Sequence, residues 1–395
     1  MHDHEGFGPA AQTPILRAIQ VGVGLCLAAV LVGAVVLWPT AEGRDSARET
    51  AAALGLASER IAAEIVVIED GPCSYASGDN PQVCRTFVAE PSEGDAAGTL
   101  IPLPEFNLEF DTSLPDLEVG DRVVLGYEPS TDFWFYADRE RRGALVGLAV
   151  LFVVVVVALG RMRGARALLA MAGTLAVFAA FIAPSVLEGN DPVAVAVVAA
   201  GAIAVLGLPL THGFNTTTTV ALAATLAALG LTLGLAAAFF EIAAFTGYAT
   251  EESTVIPFLT EGIDMGALLL GGAIIGALGA LDDITVTQVA TVAEVHRRSP
   301  ELGFGELLQS GLRVGREHIA STVNTLLLAY TGAGIPILLL FAVADQSLGV
   351  VLNSELIAVE IARTLTGSMG LVAATPLATA LAAAVLVGGP RSADR

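Results

Sequence analysis

The chain contains no lysine; its 19 basic residues are all arginine. A P-loop needs a lysine to reach nucleotide phosphates, so ATP-driven transport by this chain alone is excluded. Any cation buried in the fold has to be Arg or His. Charge of either sign is also scarce, at 15% of residues, where soluble domains carry about 25%. With 54% hydrophobic residues and a mean hydropathy of +0.71, the chain reads as a membrane protein. Cysteine is limited to three positions. Cys26 lies in the first apolar run and reads as a small packing residue. Cys73 and Cys84 flank a turn-rich loop, and a disulfide closing it would contribute about 2–3 kcal/mol. Two thiols separated by a loop with no His in it make a poor zinc site. No residue pattern calls for a metal or an organic cofactor.

The net charge of −21 is unevenly spread. Residues 41–142 hold 21 Asp/Glu and 8 Arg, a balance of −13; the remainder holds 19 and 11, a balance of −8. An acidic segment repels nucleic acid and anionic headgroups, so no nucleic-acid partner is expected. The acidic segment reads as a well-solvated module.

Residues 1–14 form a short polar tail. The apolar run at 15–38 is longer than a signal-peptide core and closes on Trp38-Pro39, an interfacial aromatic followed by a helix stop. It predicts a retained transmembrane helix. Residues 40–142 differ. After a polar, Ala-rich, helix-like stretch come short Val/Ile/Phe/Tyr-rich runs at 61–69, 85–90, 98–103, 106–110, 121–127 and 132–136, separated by Gly, Pro, Asp and Ser. This pattern predicts strands and a small barrel of OB-like type. Within 143–388 further spans are expected at 143–159, 167–187, 193–210, 220–240, 265–281, 319–343 and 365–387, each near the length that crosses a bilayer core. Residues 389–395 are a second polar tail. The expected fold is an α-helical polytopic membrane protein of about eight transmembrane helices with a small β-rich extracytoplasmic domain.

Orientation follows from arginines in short loops. With both termini cytoplasmic, Arg161, Arg163, Arg166, Arg297, Arg298, Arg313 and Arg316 fall inside, while 188–192, 241–262 and 344–355 carry no basic residue. The expected location is the plasma membrane. The β-rich domain then faces outward, where a Cys73–Cys84 bond survives.

The chemistry-bearing feature is Asp282-Asp283, which closes an apolar stretch of Gly, Ala, Leu, Ile and Met. A charge at bilayer depth costs several kcal/mol, so such residues are rare and default to function. Asp264 lies five helical turns earlier, about 27 Å away on the same side. Two readings of the pair stay open. If the helix stops at Asp283, the pair is an interfacial collar. If it continues, Asp283, Thr287, Thr291, Glu294 and Arg298 share one face and the acids sit at inner-leaflet depth. Adjacent carboxyls in one low-dielectric site cannot cheaply both ionise, which suits uptake and release of a proton.

Other polar groups surround this feature. His318, Thr322 and Thr325 share a face near Asn324, and antiparallel pairing would bring that face to the stripe after Asp283. Asn324 is either interhelical glue or a partner of the acids. Arg363, three residues after Glu360, is either the counter-ion of a buried acid or half of a surface pair. His212, in the turn Thr211-His-Gly-Phe-Asn-Thr-Thr-Thr-Thr219, reads as a loop residue. The glycines 262, 266, 272, 276 and 279 read as close helix packing.

Three blocks, Gly276-Ala-Leu-Gly-Ala-Leu-Asp-Asp-Ile-Thr-Val-Thr-Gln288, Gly315-Arg-Glu-His-Ile-Ala-Ser-Thr-Val-Asn-Thr-Leu-Leu-Leu-Ala-Tyr330 and Glu360-Ile-Ala-Arg-Thr-Leu-Thr-Gly-Ser-Met-Gly370, resemble signature blocks of the YibE/F-like membrane proteins in their actinobacterial form. Leu117-Glu-Val-Gly-Asp-Arg-Val does so as well. The resemblance runs from the first span to about residue 388. It implies a multi-pass protein with one extracytoplasmic domain and a role in transport. A weaker likeness of shape links the Gly-rich span and Asp-Asp-Ile-x-Val to the proton-conducting helices of RND exporters and SecD/SecF proteins. Those proteins have a different helix count, and their acids are often partnered by a lysine that this chain lacks.

The leading expectation is a transporter or transport component, proton- or ion-coupled through Asp282 and Asp283, with Asn324, His318, Arg363, Glu360 and Thr287 around them. Its partners would be the lipid bilayer, a small-molecule, ion or lipid substrate, and an envelope protein on the β-rich domain. The rival is a membrane-anchored scaffold that transports nothing. An aspartyl-protease-type enzyme is not expected, because adjacent acids on one helix cannot face each other across a scissile bond.

Overall fold

The computed structural model describes residues 13–41, 45, 49–50, 59–76, 82–111, 116–129, 131–259, 262–343 and 346–388. The polar tails at 1–12 and 389–395, and most of the Ala-rich stretch after residue 40, lie outside the described residues. The chain divides into two compact units, 48–155 and 1–47 with 156–395.

The first unit is an antiparallel sheet of β1 (Glu59–Pro72), β2 (Val83–Pro91), β3 (Ile101–Pro102), β4 (Phe106–Asn107), β5 (Arg122–Glu128) and β6 (Phe133–Arg139). Each expected run overlaps one of these strands, because alternation of apolar and polar residues is set by the pleat. The spatial order is β3-β2-β1-β5-β6, with β4 beside β2. β1 is shared. Its first half pairs with β5, and the remainder with β2 across a register shift between Ile65 and Val67. Among the described residues no ladder joins β3 or β4 to β6, so the strands form an open sheet where a small OB-like barrel was expected. Ile65, Phe87, Val123 and Leu125 are fully buried at its core. The Gly-Asp turn before β5 is as the sequence implies: Gly120 has φ 95°, and its amide donates to the Ile65 carbonyl at 2.7 Å.

Cys73 and Cys84 are joined as a disulfide, with Cα atoms 4.8 Å apart. Asn107 holds the adjoining chain. Its Nδ2 donates to the Tyr75 hydroxyl at 2.9 Å and to Gln82 Oε1 at 3.0 Å, while its Oδ1 accepts from the Glu109 amide at 2.9 Å.

The second unit is helical: α1 (Pro14–Val36), α2 (Arg142–Val177, which begins in the first unit), a π-turn (Phe178–Ile182), α3 (Ala183–Leu187), α4 (Pro192–His212), α5 (Thr216–Ile242), α6 (Glu251–Leu259), α7 (Met265–Arg298), α8 (Phe304–Ala333), α9 (Ile335–Val343), α10 (Leu348–Asn353) and α11 (Glu355–Val387). The starts follow capping chemistry. Thr13, Asp191, Asn215 and Asp264 each accept a backbone amide with their side chains, and Pro14 and Pro192 open their helices. Asp264 is therefore a helix cap and no part of a site with Asp282. The π-turn precedes Pro184, whose missing amide and ring disturb the regular ladder.

Among the described residues six helical stretches are long and apolar enough to cross a membrane: Pro14–Val36, Arg142–Leu187, Pro192–His212, Thr216–Ile242, Met265–Arg298 and Glu355–Val387. The expected number was larger, and the difference has two causes. The runs at 143–159 and 167–187 fall within one 46-residue stretch. It is broken at Arg161, where φ is 52° and ψ −134°. A Cβ on Gly164 would overlap the Val156 carbonyl, so the chain turns back at this point; in a straight helix these residues would lie about 12 Å apart. The run at 319–343 is instead split between α8 and α9. Pro336 lacks an amide proton, and the Gly334 carbonyl accepts from Ile337 and Leu338, both at 3.1 Å, to start α9 afresh.

The core of this unit is the mutual packing of α5, α7 and α11. The contact is made by small residues, with Ala221, Ala224 and Ala228 of α5, Ala277 of α7 and Ala374, Ala378 and Ala382 of α11 all buried. Small residues allow close backbone approach where the surroundings are apolar.

Cys84→Ser is expected to destabilise the sheet unit by about 2–3 kcal/mol through the lost loop closure. Chemical denaturation of the full chain, followed by Trp134 fluorescence in a Trp38→Phe background, measures it.

Candidate functional site

Helix α7 runs without interruption from Met265 to Arg298. It does not stop at Asp283; the acids lie mid-helix, about 26 Å from its start. Continuity comes from residue type, since the segment after Asp283 contains neither Gly nor Pro. His296, Arg297 and Arg298 close the helix, where cations complement the carbonyl end.

Successive residues on a helix point about 100° apart, and this separates the two acids. Asp282 turns toward α5. The Thr225 hydroxyl lies beside its carboxylate, Thr225 and Thr285 share a hydrogen bond of 2.6 Å, and the Thr285 hydroxyl donates to the Asp282 carbonyl at 3.1 Å. The carboxylate atom Oδ1 of Asp282 is buried and has no hydrogen-bond partner among the described residues. Asp283 turns outward and its side chain is 70% exposed. Its neighbour is His318 of α8, with Nε2 3.7 Å from Asp283 Oδ2. His212, at the end of α4, feels the charges of Arg163 and Asp283. The expectation of two carboxyls sharing one low-dielectric site is thus corrected: Asp282 is half-buried with one oxygen enclosed, and Asp283 is exposed beside His318.

The remaining expected residues are placed as follows. Thr287 is exposed one turn beyond Asp283, and its carbonyl accepts from the Thr291 hydroxyl at 2.8 Å. Glu294, further along, pairs with Arg297 and Arg298 at 2.7 and 2.6 Å. Asn324 is exposed on α8, about 9 Å beyond His318 along the axis. Arg363 pairs with Glu360 at 2.9 Å, and its Nη2 lies 3.5 Å from where a Cβ on Gly272 would stand. Gly272 precedes Asp282 by about 15 Å of helix. Arg363 is therefore not the counter-ion of the enclosed acid; its distance along α7 forbids the contact.

The sequence reading missed Gln288 as a structural hub. It is 2% exposed, and its amide donates to the Gly311 carbonyl at 2.7 Å and to Thr379 Oγ1 at 2.8 Å. Thr379 in turn donates to the Thr375 carbonyl at 2.6 Å. One side chain therefore joins α7, α8 and α11. A Cβ on Gly311 would crowd Thr379 and Val292, and one on Gly315 would crowd Thr375 and Gln288. The small-xxx-small spacing of Gly311 and Gly315, and the i, i+4 spacing of Thr375 and Thr379, were the available signals.

A family model described as YibE/F-like protein matches residues 148–388, a region that holds all of α4–α11 and leaves out the six strands. No curated protein and no solved structure matches the chain.

Gln288→Leu is expected to lower thermal stability in detergent, because it leaves a buried carbonyl and hydroxyl short of a donor, at a cost of about 1–3 kcal/mol. Gln288→Glu should be at least as damaging, since it offers no donor when ionised. A thermal-melt series with Thr287→Leu as the exposed control measures this.

Proposed function

This chain belongs to the YibE/F-like family, and from that membership and the geometry of α7 we propose a multi-pass membrane transporter or transport component in which Asp282 takes up and releases a proton or another small cation. The observation that carries this reading is the enclosed carboxylate itself. An acid with a buried, unpartnered oxygen is costly in an apolar helix bundle, and binding a proton or cation removes that cost. The hydroxyls of Thr225 and Thr285 give it polar neighbours without neutralising it.

The outer group supplies a route. Asp283, His318 and His212 are titratable groups near the same stretch of α7, and Thr287, Thr291 and Glu294 continue the polar face toward its basic end. Imidazole nitrogens can both accept and donate a hydrogen bond, which suits relay between bulk solvent and the helix interior. In this reading the stretch Arg142–Leu187 crosses the plasma membrane twice by turning at Arg161, the α8–α9 segment crosses it once between α7 and α11, both termini are cytoplasmic, and the sheet unit lies outside, free to meet an envelope protein. The cargo is a small molecule, an ion or a lipid. The rival reading, an anchored scaffold, drew its support from a helix ending at Asp283; α7 continues for several turns beyond it.

Purified protein in liposomes, with an imposed proton or sodium gradient and an entrapped indicator dye, tests the proposal. The wild type should dissipate one of these gradients faster than protein-free vesicles. Asp282→Asn should fall to the protein-free rate, while Glu109→Gln, exposed in the sheet unit, should not. A wild type that matches empty vesicles, or an Asp282→Asn variant as fast as wild type, contradicts the proposal.

A further inference from the structure

The sheet unit carries a basin of about 690 Å³ between the start of β1, the turn after β2 and the β5–β6 hairpin. Its wall is aromatic: Tyr127 and Trp134 lie side by side across β5 and β6, paired in register, with ring centroids 4.5 Å apart and an interplanar angle of 29°. Its floor includes Ile61 and Ile101. Around it stand four carboxylates, Glu59, Glu93, Asp95 and Asp132, against one cation, Arg60. That guanidinium lies over the Phe135 ring, 5.5 Å from its centroid.

We infer that this basin binds an organic ammonium ion, the cationic head against the Tyr127–Trp134 wall and carboxylate rim and the apolar body on the floor. Aromatic faces attract cations through their quadrupole, and the excess of carboxylates over cations on the rim strengthens that attraction. A phosphorylated or carboxylate ligand is repelled by the same rim. A metal ion is disfavoured by geometry: among the described residues no three His, Cys, Asp or Glu side chains converge to hold one, so the acids surround a volume rather than a point. Tyr127 is tied to the rim. Its hydroxyl donates to Asp132 at 3.0 Å, and that bond, then burial, then the charges of Asp132 and Glu59, raise its pKa above the ordinary tyrosine range. The wall is also held in place. Asp132 has φ 50° at the hairpin turn, where its carboxylate anchors Tyr127.

The chain has two tryptophans, so Trp38→Phe leaves Trp134 as the sole reporter in the full-length protein in maltoside micelles. Choline chloride, titrated at constant ionic strength, should change its fluorescence saturably. The neutral isostere 3,3-dimethylbutanol should bind about tenfold more weakly or not at all. Glu59→Gln with Asp95→Asn should weaken choline binding at least about fivefold while the circular dichroism spectrum stays unchanged. Three results overturn the inference: no saturable change with choline, equal binding of the isostere, or choline affinity untouched by removal of the two charges. Calcium chloride giving the same saturable change in place of choline would assign the basin to a metal and overturn it too.

Discussion

Three helices can enclose a carboxylate only if nothing bulky holds them apart. The alanines of α5, α7 and α11 meet that condition, as does Gly370, where a Cβ would run into Thr232. The close approach leaves room for only small polar groups such as hydroxyls. Thr225, Thr232, Thr285, Thr375 and Thr379 are all buried there. Hydroxyls of this kind bond to their own helix, as Thr232 does to the Ala228 carbonyl at 2.8 Å, so they are satisfied without a partner and can turn toward one. Asp282 is placed in this seam by its phase on α7.

Gln288 sets the second constraint. It lies six residues beyond Asp282 and ties the seam to α8 through Gly311. That tie fixes the height of α8 along α7 and so brings His318 to Asp283. The inner acid and the outer acid are thereby linked through one helix and one glutamine: a shift of α8 that separated His318 from Asp283 would also strain the Gln288 bonds. Buried polar bonds of this type specify register more than they add stability.

Much of this was legible in the sequence, and the failures have physical causes. The six strands could be read because a half-buried sheet enforces alternation, and the apolar spans because their length and hydropathy mark them; the caps at Thr13, Asp191 and Asn215 were passed over, so α5 begins at Thr216, before the expected residue 220. The antiparallel meeting of His318 with the face after Asp283 was also readable from the helical period. The closure of the sheet was not, because strand order and ladder closure depend on tertiary pairing that spacing does not encode. The counter-ion role offered to Arg363 failed because a sequence gives no depth: Glu360 is three residues away and always within reach, while Asp282 is out of reach along the parallel helix. The different environments of Asp282 and Asp283 follow from a rotation of about 100° per residue, but which of them faces inward depends on the position of α5.

The account rests on Asp282 being sequestered within the bundle, and the rate at which a thiol in its place reacts tests this directly. In a Cys26→Ser background, Asp282→Cys and Arg298→Cys are treated with a membrane-impermeant maleimide added to both faces of the reconstituted protein. Arg298 is 75% exposed at the end of the same helix. The account predicts that Asp282→Cys reacts at least about tenfold more slowly than Arg298→Cys, in keeping with the slow local opening of packed elements. Equal rates would place the carboxyl in open solvent and contradict it.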